Sequence, residues 1–188
     1  YFSARKPNSS PKNYLPHFAG FTTKGYVFVD VGHCYNPCVT YFFHFIKFTL
    51  DHENGYACYT AAIRYLRAHA GTYGMNTDYI GGAGISKGEY AITRLSDPNH
   101  ETRKDEVRKF ERFPNGSPQP QPWQRYSSKI QAGMQGMGMG LFEKQFITSD
   151  YIPNIIVCGE HDRDVIAEAH RDFIKQSNEL DANCIDLF

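Results

Sequence analysis

The sequence has little that would place it in a bilayer or on a nucleic acid. No apolar run approaches the ~20 residues that a membrane-spanning helix needs. The densest one, Val39 to Leu50, is interrupted by His44 and Lys47. An excess of one charge is also absent, because 20 Lys and Arg offset 20 Asp and Glu. No field therefore favours nucleic acid or an anionic membrane surface. Cysteine is sparse and irregular: the five (Cys34, Cys38, Cys58, Cys158, Cys184) are odd in number and lack framework spacing. His33, Cys34 and Cys38 lack the second ligand pair of a structural zinc site, so no metal is expected. A Cys34–Cys38 disulfide stays open for a secreted protein, whereas Cys158 and Cys184 sit in strand-like runs and read as buried thiols. The compartment is undecided. The first residue is Tyr1, with neither Met nor signal peptide, so the sequence reads as a mature form or a fragment.

What is present supports one globular domain over residues 1–188. Hydrophobic residues make up 41% and aromatic residues 15%, which excludes a disordered chain. Tyr26 to Val31 reads as a buried strand, rich in β-branched and aromatic residues. Gly55 to Ala70 reads as a helix, with Ala57, Ala61, Ile63, Leu66 and Ala70 opposite Arg64, Arg67 and His69, and Gly71 as its stop. Ser96 to Gln124 is polar and Pro-rich. It reads as a surface excursion or lid, or else as a plain solvated loop. Ile130 to Gly140 suits a Gly- and Met-rich strand with a loop beyond it, and Asn154 to Cys158 suits another strand. Val165 to Asn178 reads as a helix with Ile166, Ala169, Phe173 and Ile174 on one face. Asn183 to Phe188 is a last strand. Alternating strands and helices predict an α/β fold, a mostly parallel central sheet with helices on both faces.

The segment from Asp78 to Ala91 carries the chemistry. It contains G-x-S-x-G, with Gly84, Ser86 and Gly88 in place, between a small-residue strand and a helix-compatible stretch from Lys87 to Leu95. In a nucleophile elbow, a serine sits on a tight strand-to-helix turn, and glycines let the neighbouring backbone approach. The helix that starts there points free N–H groups at any anion forming beside the serine. The plain alternative is a serine in a glycine-rich turn.

Three stretches in order resemble the α/β-hydrolase superfamily, of the esterase/lipase type. They are Gly25 to Asp30, Ala61 to Ile80 leading to the elbow, and Pro153 to Val165 with Gly-Glu-His-Asp-Arg-Asp at 159–164. The resemblance implies a serine hydrolase that cleaves a carboxylic ester through an acyl-enzyme on Ser86. It implies Asp162 as the acid that orients the base, with Asp164 as the alternative, and the backbone N–H of Lys87 as an oxyanion donor. Either acid could instead serve only as a helix N-terminal charge. The Lys87 side chain reads as a solvated cation or as a contact for an acidic substrate.

The family pattern is missing at both ends. No H-G-G-type oxyanion loop lies between Tyr1 and Lys24, and the family's histidine would follow the strand that stops at Phe188. The expectation is a fold incomplete at both ends within the displayed residues, with an inactive hydrolase-like binding module as the alternative. His33, His161 and His170 are the internal histidines weighed as base, His170 being placed on the helix surface. His17, His44, His52, His69 and His100 have weaker cases, so no base is assigned. The implied partner is a small-molecule ester, polar or carbohydrate-linked, with no cofactor, nucleic acid or membrane span. The Ser-Lys-Gly core also resembles acyl-CoA thioesterases and related acyltransferases, and a peptidase or thioesterase would use the same triad.

Overall fold

A computed structural model describes residues 20–29, 31, 44–85, 87–102, 122–136, 144–159, 161 and 164–187. Two of its strands consist of residues that seldom form strands. β1 (Gly81–Ile85) reads Gly-Gly-Ala-Gly-Ile and β2 (Ala132–Gly136) reads Ala-Gly-Met-Gln-Gly. Their β-propensity is weak, so pairing and packing impose the extended backbone. β3 (Asn154–Val157) and β4 (Cys184–Leu187) complete a four-stranded sheet in the order β1-β2-β3-β4. All pairs are parallel, with Gly84 beside Gln135, Gln135 beside Ile156, and Asn154 beside Cys184. Parallel neighbours need crossover connections, and helices supply two of them. The helices are α1 (His44–Ala68), the single turn α2 (Ala70–Tyr73), α3 (Lys87–Leu95) and α4 (Asp164–Glu179).

The small residues explain how closely α3 approaches the sheet. Gly82, Gly84, Gly133 and Gln135 lie on the buried face. A Cβ on Gly133 would overlap the Asn154 side chain and come within 3.0 Å of Ser96 Oγ. α1 packs on α3 through one cluster containing Tyr56, Tyr59, Ile63, Ile92 and Leu95, joined by Val31, Ile80 and Ile130. α4 closes a second cluster of Ile147, Tyr151, Ile156 and Phe173. On the opposite face, Met134, Ile155 and Ile185 lie in register across three strands and remain 44%, 40% and 61% exposed. No helix among the described residues is long and apolar enough to cross a membrane.

Several sequence expectations need correction. Tyr26–Val31 is not a buried strand among the described residues: 26–29 carry no strand, Tyr26 is 63% exposed, Val29 is partly buried against the core, and Val31 is buried in it as an isolated bridge. β-Branched and aromatic composition alone does not make a strand. The helix expected over 55–70 begins at His44, ends at Ala68 and is followed by a separate turn. Gly74, with φ +63° at the end of that turn, supplies the left-handed stop expected of Gly71. Arg64 does not face solvent. It is buried, and its guanidinium lies 3.8 Å from Glu101.

Of the excursion expected over 96–124, residues 103–121 lie outside the described ones. Its described N-terminal part departs from expectation, since Ser96, Asp97 and His100 are buried. Cys158 is a buried free thiol, whereas Cys184 is free but only half-buried, with burial raising its thiol pKa; Cys58 is disulfide-bonded. Cys34 and Cys38 lie outside the described residues.

Candidate functional site

β1 ends at Ile85 and α3 begins at Lys87, so one residue separates strand from helix. That residue is Ser86, which lies outside the described residues. The glycines on either side are placed and touch. A Cβ on Gly84 would overlap the Gly88 carbonyl and stand 2.8 Å from the Glu89 backbone nitrogen. The turn is thus as tight as two glycines allow, which is the physical reason for G-x-x-x-G around a central residue. Lys87 opens α3, so its N–H is among the first-turn donors that lack an intrahelical acceptor. The Lys87 side chain lies outside the description.

The strand order sets where the candidate acid can be. β1 and β3 are parallel with β2 between them, so their carboxyl ends share one sheet edge about 10 Å apart. In open α/β sheets ligands bind at that edge. β3 is followed by Cys158 and Gly159, and Asp164 is the first residue of α4. Asp162 lies outside the described residues. Asp164 occupies the helix-start position where a carboxylate is favoured by the dipole, and its side chain is likewise not described.

The histidines are spread over the molecule. His161 is exposed in the loop after β3. His170, expected on the helix surface, is instead 2% exposed in α4, with Nε2 3.5 Å from Glu89 Oε2 of α3. Its position on the α4 side that carries Ala169 and Phe173 turns it toward α3. His69 stacks on Tyr65 with ring centroids 4.1 Å apart. His17 and His33 lie outside the described residues, as do the side chains of His44 and His52.

Among the described residues, His100 joins Ser128 and Glu101 in a buried serine–histidine–carboxylate group. Its Nδ1 lies 2.8 Å from the Asp97 carbonyl and its Nε2 3.0 Å from Ser128 Oγ, while that hydroxyl is 3.0 Å from Glu101 Oε1. With Nδ1–H donating to the carbonyl, neutral Nε2 competes with Glu101 for the single Ser128 hydroxyl proton. Burial pushes the His100 pKa down, against the opposing pull of the Asp97 carbonyl and of Glu101. For Glu101, burial alone would raise the pKa, but bonds from the Ser128 N–H and the Ser127 and Ser128 hydroxyls hold it below the usual value. Ser128 and His100 are buried, and their bonds tie the segment at 127–128 to the turn after α3.

Sequence reading also missed a buried polar network between α3 and the sheet. Thr93 Oγ1 donates to Gln135 Oε1 at 2.7 Å, and Gln135 Nε2 donates to Asn154 Oδ1 at 2.8 Å and to the Tyr151 hydroxyl at 3.1 Å. The Tyr151 hydroxyl in turn donates to the Thr93 carbonyl at 2.9 Å. Ser96 Oγ lies 3.2 Å from Asn154 Oδ1. Burial drives the Tyr151 phenol pKa up, so it stays protonated as a donor. These partners are 16 to 58 residues apart in sequence, and no local pattern announces them. Among the described residues, no group of three or more His, Cys, Asp or Glu could hold a metal ion.

No protein-family model and no curated protein matches the sequence. Solved structures do. Thermogutta terrifontis esterase 2, in its butyrate-bound form, superposes with a TM-score of 0.65 at 18% identity, over 99% of this chain and 69% of its own. A truncated carbohydrate esterase from gut microbiota gives 0.56 at 15% identity, over 71% and 59%. A carboxylesterase from Lactobacillus plantarum gives 0.51 at 12% identity, over 70% and 51%. The parallel sheet, its order and the strand–turn–helix at Ser86 thus define the α/β-hydrolase fold. Its structural neighbours are of the esterase type.

Proposed function

We propose that the protein is a serine hydrolase that cleaves a carboxylic ester through an acyl-enzyme on Ser86. The observation that carries this reading is the contact of Gly84 with the Gly88 backbone on either side of a one-residue turn. In a nucleophile elbow, a turn of this kind carries an exposed serine at the top of the sheet. Ser86 Oγ attacks the ester carbonyl while a base takes the hydroxyl proton. The carbonyl oxygen becomes an oxyanion facing the Lys87 N–H. Collapse breaks the C–O bond, the alcohol leaves with the proton from the base, and water repeats the sequence to release the acid. Asp162 orients the base, with Asp164 as the alternative. No base is assigned within this sequence.

The structural neighbours are esterases, which supports ester hydrolysis as the chemistry. Thermogutta esterase 2 has been solved phosphorylated by paraoxon and with propionate bound. A small polar or carbohydrate-linked ester suits this chain, the latter in line with the gut carbohydrate esterase. The test is intact-mass analysis of the full-length protein after paraoxon or a fluorophosphonate, with Ser86→Ala as control. One adduct that disappears in the variant is expected. An adduct that persists in Ser86→Ala overturns the assignment, and an unreactive wild-type protein identifies an inactive binding module. Ester, thioester and peptide analogues compared on the reactive protein then separate esterase from thioesterase and peptidase.

A further inference from the structure

Gln135 stands at an unusual junction. Its backbone pairs with Gly84 on one side, two residues before Ser86, and with Ile156 on the other. Its side chain is 1% exposed. That amide accepts from Thr93 of α3, the helix that Ser86 precedes, and donates to Asn154 of β3, the strand that leads to the candidate acid. The remaining amide hydrogen goes to Tyr151, whose hydroxyl returns to the Thr93 carbonyl. All three hydrogen-bonding groups of the amide (one acceptor, two donors) are therefore engaged, and each bond reaches a different residue.

We propose that Gln135 is a positioning residue: it ties α3 to β3 and so fixes the nucleophile turn relative to the loop after β3. The inference rests on the reading of Ser86 as nucleophile. A hydrophobic side chain of similar volume would fill the same space, as buried polar networks gain little net stability over an apolar core. What it could not supply is direction. Apolar contact lets a helix slide by a fraction of an ångström, whereas three bonds of defined geometry do not. A buried glutamine in a glycine-rich strand is thus explained by registration, and Gly133 is small so that the Asn154 side chain fits beside it.

The experiment compares the wild-type full-length protein with Gln135→Met, which keeps the volume and loses every bond, and with Thr93→Val, which loses only the hydroxyl link. Fluorophosphonate labelling of Ser86 is measured per folded molecule, with kcat and KM for an ester substrate. Hydrogen exchange is followed at the amides of 87–90. Labelling rate and kcat are expected to fall about tenfold or more in Gln135→Met, with KM within about twofold, because a small misplacement of a reacting group acts on the chemical step. Thr93→Val is expected to show a smaller loss in the same direction and faster exchange at the first turn of α3. If Gln135→Met does not fold, Thr93→Val decides. Unchanged labelling per folded molecule in both variants overturns the inference and leaves the function standing. A wild-type protein that takes no label overturns the function, and unchanged amide exchange in the variants then overturns the positioning as well.

Discussion

Glu89 and His170 meet 3.5 Å apart beneath the candidate nucleophile turn, each 2% exposed. Glu89 lies in the first turn of α3 and His170 in the second turn of α4. The contact joins the helix after Ser86 to the helix after the candidate acid, and neither residue belongs to the sheet.

Removing one member of this pair should cost more than removing both. His170→Leu leaves the buried Glu89 carboxyl group short of a partner, which costs about 1–3 kcal/mol. Glu89→Leu, His170→Leu and the double variant, compared by urea unfolding, should show the double variant less destabilised than either single one. Simple additivity would mean that the pair does not interact.

Gly84→Ala should disturb the nucleophile turn directly. The new methyl overlaps the Gly88 carbonyl, which is backbone and cannot rotate away. Overpacking of this kind costs about 1–3 kcal/mol, and the displaced helix start should slow Ser86 labelling as well. A variant with wild-type stability and labelling would refute the close approach.

Stability should fall on acidification because of His100. Its folded pKa is lowered by burial, so below the unfolded value of about 6.5 the unfolded chain binds the extra proton. The contribution is present above that pH and is lost as pH falls through it. The slope is at most about 1.4 kcal/mol per pH unit from one site. Urea unfolding between pH 8 and 5 checks this, and His100→Gln should flatten the profile in that window.

Ser128→Ala should separate the buried serine–histidine–carboxylate group from the proposed active site. It removes the hydroxyl that lies 3.0 Å from both His100 Nε2 and Glu101 Oε1. Leaving buried groups short of a partner costs about 1–3 kcal/mol. Labelling at Ser86 should not change. A loss of labelling per folded molecule would place Ser128, and not Ser86, at the reactive centre.

Where residues act locally, the sequence was a sufficient guide. Lys87–Leu95 forms the helix expected after the elbow, and the strands near 132–136, 154–157 and 184–187 fall within the expected runs. The helix at Asp164–Glu179 differs from expectation by one residue at each end. Those elements follow from periodicity, caps and glycine spacing, which are properties of neighbouring residues. Gly84 and Gly88 belong here too, since their spacing alone required two backbones to touch.

Burial and pairing of polar groups could not be read in the same way. His170 and Arg64 look like surface residues in their own helices, and Tyr26–Val31 looks like a strand in its own composition. The first two are decided by what lies across the molecule: Glu89 for His170 and Glu101 for Arg64. The order of residues determined the glycine spacing around position 86 and the alternation of strands and helices that builds the sheet. Only the tertiary structure decided which polar side chains would be buried together, because the energy of such a contact belongs to the pair and exists in neither residue alone.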